Sequence, residues 1–260
     1  MQFTAMDQTA VDLACETLYR FLAAAIRDPG LDSGGLLIAA DCQQLAAEAC
    51  DLLRSEFGDT AIPLGFGELP VEELNLRPAI NALAASLFEG REEYTRVFGL
   101  TACRECPPYE TEYHKAEEVF FRSQQMADIA GFYQAFGLAP GGASRERPDH
   151  LAVELEFVAY LLMKQRLANE ADRGAEPAAT CQRAREVFFR DHLAWWVPSF
   201  SVGLRRKAET GFYAGIGRVL GALLPIERHR YGILPPIMPL EADFIESPEE
   251  TDGCMTPIEV

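Results

Sequence analysis

Apolar residues recur every three or four positions along most of the chain, which is the period of an α-helix with one buried face. The first such segment runs from Asp7 to Arg27 and ends at Pro29-Gly30. Its apolar stripe consists of Val11, Ala14, Cys15, Leu18, Phe21, Leu22 and Ala25. No segment alternates convincingly between apolar and polar residues with period two, so the pattern predicts an all-α protein.

The same periodicity predicts about eight to ten helices packed in one globular domain. After the first, the predicted helices cover residues 36–57, 71–89 with a break at Pro78, a short segment ending at Phe98, 112–136, 148–169, 181–196 and 202–224. Residues 60–70 are rich in Pro and Gly and residues 171–180 are polar, so both stretches are predicted to be loops. Pro148 suits the first turn of its helix, where an N–H would be unpaired, and Pro198 is predicted to interrupt the helix that starts at Cys181.

The end of the chain differs in composition from the rest. Residues 241–260 carry seven acidic side chains and no basic one, and three of these positions are Pro or Gly. Such a segment has too little apolar surface to fold by itself. We therefore predict a single all-helical domain over residues 1–235 and an acidic C-terminal tail over residues 236–260, which is partly disordered or lies loosely across the domain.

The net charge of −17, with three lysines among 23 basic residues, makes nucleic acid and anionic membranes poor partners and a cationic molecule a good one. A simpler interpretation is that the acidity only keeps the protein soluble. No run of 18 or more apolar residues indicates a membrane span, and the N-terminus lacks the features of a signal peptide. Seven cysteines without an export signal indicate reduced thiols. These features predict a cytoplasmic protein.

Two clusters of polar and aromatic residues flank the predicted helix 112–136. Their members are Tyr109, Glu110, Thr111 and Tyr113 in the first cluster and Asp149, His150, Glu154 and Phe157 in the second. Because no nucleophile and no second metal-ligand pair accompanies them, the pattern indicates neither a catalytic nor a metal site. The structural interpretation is a packed, capped loop followed by a helix start, in which His150 is partly buried and Asp149 complements the helix N-terminus.

Two further features leave alternatives open. Cys103 and Cys106 form a C-x2-C pair, which is compatible with half of a zinc site, with a redox pair or with plain thiols in a loop, and no second pair follows at a useful spacing. Trp195 and Trp196 are adjacent and must point in different directions. One of them is predicted to lie in the core, and the other to line a groove or cover a helix end.

Taken in order, five short motifs resemble the TorD/DmsD/NarJ family of cytoplasmic redox-enzyme maturation proteins. The motifs are Tyr94-x3-Phe98, Pro107-Pro-Tyr-Glu-Thr-Glu-Tyr113, Tyr133-x3-Gly137, Arg147-Pro-Asp-His150 followed by Glu154, Leu155 and Phe157, and Asp191-His192-Leu193 followed by Trp196, Pro198 and Phe200. The form Tyr109-Glu-Thr111 is nearer to the nitrate-reductase and ethylbenzene-dehydrogenase type chaperones than to the Tyr-x-Ser of many members.

The resemblance implies an all-helical chaperone that has no enzymatic turnover and no cofactor of its own. Members bind the catalytic subunit of a molybdopterin-containing oxidoreductase, often through its twin-arginine signal peptide, and hold it in the cytoplasm until its cofactor is inserted. By this resemblance, client binding is expected at Tyr109, Glu110, Tyr113, Asp149, His150, Glu154, Phe157 and Trp196. Nucleotide binding has also been proposed in the family, but the chain has no Gly-x4-Gly-Lys-Ser/Thr loop.

A twin-arginine signal presents two guanidinium groups followed by an apolar stretch. Arginine pairs bidentately with carboxylates, and each such bond contributes about 1.5–3 kcal/mol when partly buried. We therefore expect an apolar groove between helices, rimmed by the carboxylates of Glu110, Asp149 and Glu154. The expected mechanism is binding and timed release by a monomeric or weakly self-associating chaperone.

Overall fold

The structure, a computed structural model, describes residues 5–29, 34–85, 90–99, 105–114, 119–138, 146–171 and 175–240. Within these ranges the chain forms ten α-helices and no β-strand, which confirms the prediction of an all-α fold. The helices are α1 (Ala5–Ile26), α2 (Gly34–Ile38), α3 (Ala40–Phe57), α4 (Arg77–Ala85), α5 (Gly90–Phe98), α6 (Val119–Ala135), α7 (Leu151–Glu170), α8 (Ala175–Phe188), α9 (Val197–Ala208) and α10 (Gly211–Arg230). Two 3-10 segments, Val71–Glu73 and Glu110–Tyr113, and a π-helical turn, Phe189–Leu193, lie between them.

Helices α1 and α10 form the centre of the core, since residues 21–26 of α1 and 219–228 of α10 are buried without interruption. Helix α1 packs against α3 and α7, and α7 also packs against α8. Helix α10 packs against α4 and α9. Phe98 of α5 stacks on Phe200 of α9 and meets the edge of the Tyr213 ring of α10. The aromatic residues of two of the family-like motifs therefore lie in one hydrophobic core.

Several helix boundaries differ from those predicted, and each difference has a local cause. Helix α7 begins at Leu151 instead of in the Pro148 turn, because the His150 side chain caps its first turn. The predicted linker 171–180 is wrong in part, since α8 already begins at Ala175. Pro198 opens α9, where its missing N–H has no helical partner to lose, and the preceding helix ends through the π-helical turn.

The segment predicted as one helix over residues 202–224 is divided between α9 and α10. The two helices meet at residues with positive φ, Glu209 at 56° and Gly211 at 89°. The apolar spacing continues across this joint, so periodicity alone cannot detect it. The predicted helix 112–136 also differs from the structure. The described residues form a 3-10 segment at Glu110–Tyr113 and then, further along the chain, α6.

A buried ion pair ties the end of the described chain to the body. The Nε and Nη2 atoms of Arg228 donate to the two oxygens of the Glu68 carboxylate, at 2.8 and 2.7 Å. The third nitrogen of Arg228 donates to the carbonyl oxygen of Ile233, and the Phe66 amide donates to the carbonyl oxygen of Pro236 at 2.7 Å. Residues 233–236 are thereby held against the loop 63–68.

No helix in the described part of the chain is long and apolar enough to cross a membrane. Residues 241–260 of the predicted acidic tail lie outside the described ranges. The boundary at residue 235 between domain and tail stays a prediction.

Candidate functional site

The two clusters that flank the predicted helix 112–136 are brought together in the fold. The Glu110 amide donates to the carbonyl oxygen of Asp149 at 2.9 Å, and an isolated antiparallel bridge pairs Tyr109 with His150. The Tyr133 hydroxyl of α6 donates to the carbonyl oxygen of the residue before Asp149 at 2.8 Å. The 3-10 segment Glu110–Tyr113 and the start of α7 therefore form one unit, with α6 against it.

Asp149 is a fully buried carboxylate that accepts hydrogen bonds from two neighbours. Arg147 approaches it with Nε at 2.9 Å from Oδ1 and Nη2 at 2.7 Å from Oδ2. Thr111 donates to Oδ2 from its hydroxyl at 2.7 Å and from its amide at 3.3 Å. Asp149 precedes the helix cap, so it holds the loop and Arg147 in place rather than complementing the first turn of α7.

His150 is the N-cap of α7. Its Nδ1 accepts a hydrogen bond from the Ala152 amide at 3.1 Å, and its ring meets the Tyr109 ring edge-on at 5.0 Å. Burial lowers the pKa of His150 to about 4. The side chain is therefore neutral at physiological pH, which suits a cap that must accept a hydrogen bond.

Glu110 joins its own 3-10 segment to α6, to the π-helical turn and to Trp195, which follows that turn. Its buried carboxylate is reached by Gln125 Nε2 of α6 at 3.3 Å, by Trp195 Nε1 at 3.2 Å and by His192 Nδ1 at 3.2 Å. The π-helical turn contains His192 and directs it at Glu110. His192 and Gln125 were not among the residues predicted for the site; His192 belongs to a family-like motif, but nothing in the spacing links it to a residue 82 positions away.

Glu154 lies behind this centre with no exposed surface. Neither of its carboxyl oxygens has a hydrogen-bond partner among the described residues. Burial raises the pKa of Glu154 well above its usual range, and the neighbouring charges of Glu110 and Asp149 raise it further. The uncharged, protonated form of the side chain is therefore favoured in the folded protein.

The aromatic residues predicted for the site pack behind it. Phe157 contacts the rings of Tyr133 and Phe188, and Trp196 contacts the ring of Tyr113 at 5.0 Å. All three of the predicted residues Tyr113, Phe157 and Trp196 are buried. Of the two adjacent tryptophans, Trp196 is the core residue, and Trp195 is only half-buried.

The expectation that Glu110, Asp149 and Glu154 rim an open groove is wrong, because all three are fully buried. The surface above them is formed by Tyr109, Arg147, His114 and Trp195, which are each partly exposed. A cavity of about 550 Å³ between α3 and α4 is lined by none of the predicted site residues. The role of the predicted residues in client binding stays a prediction.

The cysteine pair is only partly within the described chain. Cys106 is buried against Gly203 of α9, and Cys103 lies outside the described residues. Among the residues that the structure describes, no group of three or more His, Cys, Asp or Glu side chains is arranged to hold a metal ion.

Comparison with known proteins identifies several assembly chaperones as relatives. The chain is 37% identical over 111 residues to the selenate reductase assembly chaperone protein of Thauera selenatis, covering 43% of this chain and 55% of that protein. It is also 37% identical over 110 residues to the chlorate reductase assembly chaperone protein of Ideonella dechloratans, covering 42% and 54%. The chaperone protein TorD of Vibrio cholerae is 29% identical over 107 residues, covering 41% and 46%. The chain thus spans about half the length of the curated relatives it matches.

A family model described as nitrate reductase delta subunit matches residues 68–202, which is just over half of the 260-residue chain. The matched region contains both site clusters, the π-helical turn and the first half of α9. This match confirms the resemblance drawn from the five motifs. The protein belongs to the nitrate reductase delta subunit family.

Proposed function

We propose that the protein is an assembly chaperone for the catalytic subunit of a molybdopterin-containing oxidoreductase. The observation that carries this proposal is the naming of its relatives as assembly chaperones of selenate and chlorate reductases. The chaperone acts in the cytoplasm by binding and timed release, without catalytic turnover. It keeps the subunit from export or assembly until its cofactor is in place.

The twin-arginine signal peptide of the client is the proposed ligand of the site. Its two guanidinium groups suit an acidic centre, since charge-assisted bonds between guanidinium and carboxylate are roughly twice as strong as neutral ones. The net charge of −17 speeds the encounter with a basic peptide but adds little specificity.

The proposed binding residues are the eight named from the resemblance, and their burial divides their roles. Tyr109 is the one among them that is partly exposed, so it can contact a client in the conformation described. The other seven are buried and act by holding that surface in shape. His114 and Trp195 join Tyr109 on the surface.

The experiment is purification of the tagged protein from its native host, followed by mass spectrometry of the bound proteins. Recovery of a molybdopterin oxidoreductase large subunit is the expected result. We expect the combined substitutions Asp149→Asn and His150→Asn to abolish recovery, because the first removes the carboxylate charge. The second keeps a side chain that can cap α7, so the fold should be preserved. The control is Arg218→Gln, which changes an exposed ion pair on α10.

Circular dichroism of both variants separates lost binding from lost folding. Loss of the client with unchanged helical content supports the proposed site. Recovery of no oxidoreductase subunit by the native protein, together with stoichiometric metal that Cys106→Ser removes, would contradict the chaperone proposal.

A further inference from the structure

The side chain of Arg147 lies in a site whose contacts all suit a guanidinium group. It contacts Asp149 with two nitrogens, at 2.9 and 2.7 Å, which is the forked geometry that a planar guanidinium allows. Its Nη2 also lies 2.7 Å from the Thr111 hydroxyl oxygen. The guanidinium carbon stands 4.4 Å from the centre of the Tyr109 ring, a cation–π contact.

A second arginine enters the same acidic centre from α6. Arg122 Nη1 lies 3.1 Å from Oε2 of Glu112, and Arg147 Nη1 lies 3.4 Å from Oε1 of the same carboxylate. The buried carboxylates of Glu112 and Asp149 are thus shared by two guanidinium groups of the chain itself. The centre has carboxylate acceptors for two arginines and an aromatic surface for one of them.

The exposure of the partners shows which of them can leave. The side chain of Arg147 is 41% exposed, whereas that of Asp149 is 0% exposed. Arg147 therefore covers Asp149 from the solvent side, and its departure would expose the carboxylate without disturbing α7. Glu154 is buried nearby, and neither of its carboxyl oxygens has a hydrogen-bond partner among the described residues.

We propose that Arg147 is an internal occupant of a guanidinium site formed by Asp149, Thr111 and Tyr109, and that an arginine of a client binds by replacing it. The identity of the client rests on the proposed function, but the self-occupied site does not. Arg147 acts as an autoinhibitory residue: it keeps the buried carboxylate neutralised while no client is present. Arg147 also lowers the apparent affinity for any arginine-bearing ligand, because the ligand can bind only to the fraction of molecules in which Arg147 has left the site.

The first test measures binding of a synthetic peptide that carries two adjacent arginines followed by an apolar stretch. Arg147→Gln is expected to bind the peptide at least about three-fold more tightly than the native protein, because the competing side chain is gone. Arg218→Gln is the control, since it removes the same charge from an exposed ion pair on α10. Arg147→Lys serves as a second variant that keeps the charge and loses the fork, and it should show a smaller gain.

The second test needs no client. Removing Arg147 leaves the Asp149 carboxylate without its cation, so Arg147→Gln should melt at a lower temperature than the native protein. Ethylguanidinium at millimolar concentration is expected to restore the melting temperature of this variant, and ethylammonium is not, because only the former has the planar fork. Neither cation should shift the native protein or Arg218→Gln.

Selective rescue by ethylguanidinium together with tighter peptide binding is the expected result. Equal rescue by both cations, or peptide binding by Arg147→Gln and Arg147→Lys that is no tighter than that of the control, overturns the proposal. If rescue is selective and the host yields no oxidoreductase subunit, the guanidinium site stands and the chaperone assignment fails.

Discussion

At the scale of single residues, the burial of Glu154 opposes folding, because its charged form loses its contact with water. It is fully buried, neither carboxyl oxygen has a hydrogen-bond partner in the described part of the chain, and burial raises its pKa well above the usual 4.5. The folded protein therefore holds a proton that the unfolded chain releases above pH 4.5. Linkage then requires that this residue reduce stability as pH rises above 4.5.

Glu154→Gln is expected to increase the free energy of unfolding at pH 7 by on the order of 1 kcal/mol, because an amide needs no proton to be neutral. Urea denaturation at pH 5 and pH 8 checks this, with the larger gain expected at pH 8. Glu170→Gln at the exposed end of α7 is the control and should change little. A loss of stability at both pH values would show that the carboxyl group makes favourable contacts.

His150 has the opposite pH dependence. Its pKa of about 4 lies below the ordinary 6.5, so the unfolded chain takes up a proton before the folded one does as pH falls. Stability is therefore fully present above pH 6.5 and is lost between pH 6.5 and 4, by up to about 3 kcal/mol for this residue.

His150→Asn is the informative variant because asparagine keeps the ability to cap α7 and does not titrate. We expect the variant to lose less stability than the native protein between pH 6.5 and 4, whereas His150→Ala should also cost about 1 kcal/mol at pH 7 for the lost cap. Thermal unfolding across this pH range measures both effects. Identical pH profiles for the native protein and His150→Asn would contradict the role given to the ring.

At the scale of elements, α9 approaches the loop before the site very closely. An added Cβ at Gly203 would stand 2.7 Å from the carbonyl oxygen of Glu105 and 3.0 Å from the Cβ of Cys106. Gly131 on α6 is also helical, but nothing lies within 4 Å of its Cβ position.

The two glycines form a matched pair for one substitution. Gly203→Ala should lower the free energy of unfolding by about 1–3 kcal/mol, because backbone on the facing loop cannot yield easily. Gly131→Ala should raise it by about 0.5–1 kcal/mol through helix propensity. Chemical denaturation of both variants measures the contrast, and a neutral Gly203→Ala would mean that α9 and the loop separate at little cost.

Periodicity predicted the helices themselves but not their joints. The apolar stripe of α1 predicts a helix, because apolar residues spaced three and four positions apart share one face in a helix. The division at Glu209, the start of α8 and the π-helical turn depend on single backbone angles and side-chain caps that leave the spacing unchanged.

The site shows the same limit more strongly. The sequence motifs identified both clusters, and they do meet in space. The contacts of Glu110 with His192 and Trp195 join residues more than 80 positions apart, which no local pattern encodes. Burial of all three carboxylates also escaped prediction, because acidic residues are mostly exposed unless they are paired or protonated.

At the scale of the whole molecule, the Arg228–Glu68 pair connects the last helix, the loop 63–68 and residues 233–236. Arg228→Met should lower the free energy of unfolding by about 3–5 kcal/mol, because Glu68 stays buried without a partner. The double variant Arg228→Met with Glu68→Met should recover much of this loss. Urea denaturation of the single and double variants, with the exposed-pair variant Arg218→Gln as control, tests it; equal losses in Arg228→Met and the control would contradict the buried-pair argument.

The π-helical turn at Phe189–Leu193 has a consequence for how the chain tolerates changes of length. It contains one residue more than an α-helical turn, so deleting a residue there lets the turn close as an ordinary α-helical turn, while the structure before and after it keeps its orientation. The side chains inside the turn change direction, and His192 would then no longer face Glu110. In a relative whose sequence aligns with a single gap inside this turn, we therefore expect the histidine contact to be lost, and a structure of such a relative that retains it would contradict this. A gap at this position records a change in the core of the site, although in an alignment it looks like ordinary variation in a loop.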